Sequence, residues 1–258
     1  MFKTRRKLLS QNFLRDEGLI TRLIRASGIS CKDTVLDIGA GNGNIAEALL
    51  SISRKVIAIE IDKALAVQMS RRLENHKALG IVCGDFLDFD LPKEPYKVFS
   101  NIPFAITGEI VKKLLFSDNP PETCVLIVQK EAAQKFVINP KKQSMLSILF
   151  YPWFDITVGH VFERTDFYPT PIVNTCLLKI VKRPTPLVPD GEMNKYRDFV
   201  VYKYTKCRSV GEWSAVRWIN TYTNDVHCRG SFAKWQREQR KLVKIHRTRT
   251  DKKWKQFS

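Results

Sequence analysis

The chain has 258 residues, enough for one large core, or for one domain of about 180 residues with a small appendage. A hydrophobic content of 44% and a charged content of 27% are those of a soluble globular protein, and the absence of any apolar run near the ~20 residues of a membrane span excludes a helical membrane protein. A net charge of +17 repels itself in a compact fold and makes nucleic acid the expected partner.

A basic cluster, Lys3, Arg5, Arg6 and Lys7, opens the chain, and the stretch MFKTRRKLLSQNF lacks the apolar centre of a secretory signal, so a cytoplasmic protein is expected. Short β-branched runs then alternate with helical patterns. Strands are expected near Thr34–Ile38, Lys55–Ile61, Gly80–Cys83, Lys97–Ser100 and Cys124–Gln129, with helices between them. That alternation implies an α/β fold: an open, mostly parallel, Rossmann-like sheet with helices on both faces. After Asn139 the runs Met145–Tyr151, Ile156–Val161 and Val173–Val181 read as further strands closing the sheet. The proline-rich stretch KRPTPLVPDG reads as a linker. The expected organisation is a domain over 1–182, a linker over 183–191 and a small basic helical domain over 192–258.

The carboxy-terminal part is the most basic, since from Lys182 onward 19 Lys and Arg face 7 Asp and Glu, a net +12. There Lys234, Arg237, Arg240, Lys241 and Lys244 recur at spacings of three or four and would share one face of a helix. The six cysteines, Cys31, Cys83, Cys124, Cys176, Cys207 and Cys228, are scattered, with no CxxC pair and no His at metal-ligand spacing. Free thiols are expected rather than disulfides, and no metal.

Four strand ends carry residues that bind rather than pack. Gly39, Gly41 and Gly43 follow the first strand in VLDIGAGNGNI, where the lack of Cβ lets backbone approach a ligand. A dinucleotide site would place its third glycine at position 44, which is Asn, so the turn suits a nucleoside with a short amino-acid tail better than a pyrophosphate, and a NAD-dependent dehydrogenase is the weaker reading. The second strand ends in Glu60-Ile61-Asp62, where Glu60 is placed to accept ribose hydroxyls and Ile61 to lie against an adenine. The third ends in Gly84-Asp85-Phe86, where Asp85 can accept from an adenine amine and Phe86 can pack on the ring. Singly these are turn and cap residues, but their recurrence at successive strand ends implies an S-adenosylmethionine site.

The fourth strand ends in Asn101-Ile102-Pro103-Phe104. The amine on C6 of adenine is a poor nucleophile, because its lone pair is delocalised into the ring, so an enzyme must hold it by its hydrogens and aim the nitrogen at an electrophile. Asn101 and a carbonyl at Ile102 or Pro103 can accept those hydrogens, and Phe104 can stack on the base. The target is expected to be a single-stranded or bulged adenine.

These motifs resemble those of the rRNA adenine N6-methyltransferases, the group of the Erm-type 23S rRNA enzymes of macrolide resistance and the KsgA-type small-subunit dimethyltransferases. The resemblance covers roughly Leu9 to Lys182. Ser10-Gln11-Asn12-Phe13-Leu14 is similar to the family's amino-terminal motif, which implies cofactor contacts from Asn12 and Leu14. DIGAGNG, EID, GDF and NIPF follow in the family's order and spacing, Val128-Gln129-Lys130-Glu131 resembles its joint after the fifth strand, and Phe167-Tyr168-Pro169-Thr170-Pro171-Ile172-Val173-Asn174 resembles its F-x-P-x-P-x-V-[ND] segment. The resemblance implies a class I methyltransferase sheet, with Phe167 closing the second face of the target base. Ile102 and Asn174 resemble the Erm side, which implies a monomer that methylates 23S rRNA before the ribosome is fully assembled. A KsgA-type enzyme and a non-catalytic nucleic-acid-binding relative are the alternatives. After about Tyr202 the likeness fades.

Overall fold

The computed structural model describes residues 13–139, 143–206 and 213–227. They belong to two compact units, one drawn from Met1–Gln134 and Asp155–Lys182, the other from Lys135–Phe154 and Arg183–Ser258.

In the first unit a seven-stranded sheet has the order β4-β3-β2-β5-β6-β9-β7. Its strands are β2 (Thr34–Ile38), β3 (Lys55–Glu60), β4 (Leu79–Cys83), β5 (Lys97–Asn101), β6 (Thr123–Gln129), β7 (Phe154–Phe162) and β9 (Thr175–Lys182). Strands β2 to β6 pair in parallel, with Val35 opposite Val56 and Leu36 opposite Val98, and β9 joins β6 antiparallel with Gln129 opposite Thr175. Parallel strands need covered faces, which is why β2 and β6 read as nearly unbroken apolar runs, with Val35, Leu36, Leu126 and Ile127 fully buried. The covering helices include α1 (Glu17–Ala26), α2 (Asn44–Leu50), α3 (Lys63–Arg72), α4 (Thr107–Leu115) and the short α5 (Lys130–Ala133). Asp16 caps α1 by accepting from the Leu19 amide at 3.0 Å, and Asp62 caps α3 by accepting from the Ala64 amide at 2.9 Å. Separately, β1 (Phe13–Leu14) and β8 (Phe167–Tyr168) pair antiparallel as a small ribbon.

The second unit corrects two expectations. Met145–Tyr151 is not a strand: Met145–Phe150 is a helix, α6, started by the Ser144 hydroxyl, which accepts from the Ser147 amide at 2.9 Å. The run from Ser147 to Phe150 is buried all round, and a short run of that kind carries no period that separates helix from strand. Residues 183–191 are also more than a linker. The Arg183 and Leu187 amides donate to the carbonyls of Trp153 and Pro152 at 2.8 Å each, and Val188 is buried.

Helices α7 (Met193–Lys206) and α8 (Ala215–His227) give the helical character expected after residue 192. Their core is aromatic: the Tyr196 ring meets Trp153 and Tyr222 edge-on at 5.5 and 5.1 Å, and Phe199 meets Trp218 edge-on at 6.1 Å. Among the described residues no helix is long and apolar enough to cross a membrane. Lys234 to Lys244 and the basic cluster at Lys3 to Lys7 lie outside the described residues.

Candidate active site

Strand β2 has β3 on one side and β5 on the other, so the chain reverses its direction of winding there, and a crevice opens beyond the carboxyl ends of the strands. Gly39, the first residue past β2, has φ +71°, and a Cβ on it would stand 3.2 Å from Cδ of Pro103. The glycine turn and the Asn101–Phe104 segment therefore meet at the crevice. Gly41 has φ +58° and faces the Phe13 ring so closely that a Cβ would overlap it, while Gly43, φ +86°, begins α2 with Met69 Cγ only 2.7 Å from where its Cβ would be. All three positions have a left-handed backbone that side chains rarely adopt, and a Cβ would be tight at Gly39 and would overlap its neighbours at Gly41 and Gly43.

Glu60, at the end of β3, is fully buried. One carboxylate oxygen accepts from the Gly41 amide and the other from the Asp62 amide, each at 2.7 Å. These charge-assisted bonds lash the glycine turn to the end of the neighbouring strand, a task that the ribose-binding expectation missed. Asp37, on β2, is 1% exposed. Burial first, and the Glu60 carboxylate second, push its pKa up to about 8. No group among the described residues makes a hydrogen bond of normal geometry to either of its oxygens, so the nearby Ser100 hydroxyl and Ala46 amide offset only part of that rise.

A cavity of about 300 Å³ lies at the same end of the sheet. It is lined by Gly39, Ile59 and Ile61 at the ends of β2 and β3, by Gly84 to Leu87 after β4, and by Pro103, Ala105, Ile106 and Ile110 after β5. Asp85 turns the chain after β4, its side chain accepting from the Leu87 amide at 2.9 Å, and Phe86 is 5% exposed. An apolar slot with a carboxylate at its edge, next to a turn stripped of Cβ atoms, fits S-adenosylmethionine: Ile61 and Phe86 would hold the adenine, Asp85 its amine, Glu60 the ribose, and the glycine turn the amino-acid tail.

Asn101 ends β5 half-buried, Ile102 is buried, and Phe104 begins a short 3₁₀ turn, Phe104–Ile106. The Pro103 carbonyl already accepts from the Ile106 amide at 3.2 Å, and the Phe104 carbonyl from the Thr107 hydroxyl at 3.0 Å. Of the two carbonyls expected to hold an amine, Pro103's is thus engaged in the turn.

Two other expected positions differ. Phe167 is fully buried, edge-on to Phe162 at 5.4 Å in the core under the ribbon, and no face of it is open to a base. Its neighbour Tyr168 is 63% exposed, with the Arg15 guanidinium 5.1 Å from its ring centre. Successive strand residues face opposite ways, so the F-x-P-x-P segment presents Tyr168 outward. For the same reason Leu14 is buried while Phe13 lies on the glycine turn. Asn12 lies outside the described residues. Sequence reasoning missed Phe13, Asp37 and Asn44. Asn44 accepts from Arg72 at 3.0 Å and donates to the Leu14 carbonyl at 3.4 Å. The sequence signal for Asn44 was its place where a dinucleotide turn has glycine.

A family model described as ribosomal RNA adenine dimethylase matches residues 1–209. The chain belongs to that family. An rRNA methyltransferase of Streptomyces thermotolerans is 34% identical over 201 residues, covering 78% of this chain and 67% of its own. The ribosomal RNA small subunit methyltransferase A of Lactococcus lactis is 32% identical over 194 residues, covering 71% of this chain and 66% of its own. The chain thus spans about two thirds of the length of these relatives. The crystal structure of the 23S rRNA methyltransferase ErmE aligns with a TM-score of 0.70 and 29% identity, covering 77% of this chain and 81% of that one. Ribosomal RNA adenine dimethylases are S-adenosylmethionine-dependent methyltransferases, so the family and the crevice agree on the cofactor.

The Asp37–Glu60 pair has a consequence for stability. Asp37 holds its proton in the folded chain up to about pH 8 and loses it near pH 4 when unfolded. Its contribution is therefore complete below about pH 4 and is lost as pH rises toward 8. Asp37→Asn is expected to gain stability relative to the parent chain by a few kcal/mol between pH 4 and 8, levelling off above that; urea unfolding across this range measures it. A difference that does not change with pH would show that Asp37 is ionised throughout.

Proposed function

We propose that this chain methylates the N6 amine of an adenine in 23S rRNA, in the manner that keeps macrolide antibiotics from the ribosome. It would act as a monomer on RNA not yet fully assembled into a ribosome. The observation that carries this reading is the meeting of Pro103 with Gly39, which sets the Asn101–Phe104 segment against the cofactor crevice. Support for the large-subunit target comes from Ile102 and Asn174 and from the similarity to ErmE.

When bound, S-adenosylmethionine supplies a methyl group that is already strongly electrophilic. The protein's part is then positioning, which alone can lower a barrier by on the order of 7–11 kcal/mol. The Asn101 side-chain oxygen and the Ile102 carbonyl accept the two amine hydrogens and turn the nitrogen toward the cofactor. Phe104 stacks on one face of the base, and Tyr168, exposed where Phe167 is not, is the aromatic available on the β1–β8 ribbon. No strong base is required, because the product ammonium is acidic enough to release its proton to water. The basic residues of the carboxy-terminal part hold the RNA through its phosphates, which makes affinity salt-dependent without adding to the chemistry.

Base–aromatic stacking is worth roughly 1–3 kcal/mol, so Phe104→Ala is expected to lower kcat/KM about 10- to 100-fold, in an assay of labelled methyl transfer to protein-free rRNA, whereas Phe104→Tyr retains activity. Equal losses in both variants would remove the stacking role. The target is tested by primer extension on both ribosomal RNAs from cells with and without the gene, together with macrolide susceptibility. A dimethyl stop in the large-subunit RNA with resistance is expected. A stop only near the 3′ end of the small-subunit RNA would instead support the KsgA-type reading, and no stop in either RNA would support a binding protein.

A further inference from the structure

One lysine joins two of the segments that line the cavity. Lys113, on α4, lies one helical turn beyond Ile110, which lines the cavity from that helix. Its ammonium donates to the Leu87 carbonyl at 2.8 Å and stands 5.3 Å from the centre of the Phe86 ring. Phe86 and Leu87 line the same cavity together with Asp85, from the turn after β4. Both polar backbone groups of Leu87 are thus held by side chains, its amide by Asp85 at 2.9 Å and its carbonyl by Lys113. The tie spans 26 residues of sequence and connects the helix that follows Asn101–Phe104 to the turn that carries Asp85.

A charge-assisted hydrogen bond has a direction, and the ring beneath the ammonium adds a second constraint on the same nitrogen. We propose that Lys113 is a positioning residue for adenine recognition: by fixing the 3₁₀ turn Phe86–Asp88 to α4, it sets where the Asp85 carboxylate stands relative to the slot. This rests on the reading of the cavity as the S-adenosylmethionine site. Lys113 is not among the residues that line the cavity, so it acts on cofactor selectivity through Asp85 and not on the transfer step.

The test compares binding of S-adenosylhomocysteine and S-inosylhomocysteine to the full chain by calorimetry. Inosine replaces the amine that Asp85 would accept from with a carbonyl, so the ratio of the two affinities reports the position of Asp85. The parent chain is expected to prefer the adenosyl compound by tenfold or more. Lys113→Met, which keeps the length and apolar stem, should cut that preference at least fivefold while leaving kcat at saturating cofactor within about twofold, and Lys113→Arg should restore most of it. Lys113→Gln is read in the same way should the Met variant not fold. An unchanged preference in Lys113→Met or Lys113→Gln overturns the proposal, as does a loss that tracks a fall in Tm and is not rescued by Arg. Failure of the parent chain to bind S-adenosylhomocysteine at all would instead overturn the reading of the cavity itself.

Discussion

A buried carboxylate has to be matched by donors, and Glu60 is matched by two backbone amides from different segments. The Gly41 amide comes from the turn after β2 and the Asp62 amide from the start of α3. Asp62 in turn caps α3, and α3 supplies Met69, the side chain against Gly43. Strand, turn and helix are therefore held by one anionic group. Release of Glu60 would free a turn whose three glycines impose little conformational preference of their own, and the close approach of Gly39 to Pro103 depends on that turn staying where it is.

The same carboxylate shapes the electrostatics. Second to burial itself, it helps hold Asp37 protonated at neutral pH, and it places negative charge at the turn where a cationic ligand would lie. A second layer of control sits across the cavity, where α4 and the turn after β4 are joined through Lys113. Between them these two ties fix the turn after β2 and the turn after β4, the two segments that flank the slot.

Much of this was legible in the sequence because strand ends in a parallel sheet are marked twice, by the apolar run that stops and by the polar or glycine residue that follows. Gly39, Glu60, Asp85 and Asn101 all stand where that pattern places them. What the sequence concealed depends on direction and on distant partners. Phe167 and Tyr168 are adjacent aromatics, and only their pairing with Leu14 and Phe13 shows which of them faces the core. Met145–Phe150 carries too few residues to reveal a helical period. The proline-rich stretch after Arg183 has the composition of a linker, yet its amides find partners in Pro152 and Trp153, some thirty residues earlier. Glu60 was visible as a strand-end carboxylate, but its bond to an amide nineteen residues away follows from the fold and from nothing local.

The most direct measurement is a crystal structure of the chain with S-adenosylhomocysteine. The adenine is expected between Ile61 and Phe86 with its amine on Asp85, while both oxygens of Glu60 keep the amides of Gly41 and Asp62. A ligand bound elsewhere, or one that draws Glu60 away from Gly41 and shifts the glycine turn, would contradict it.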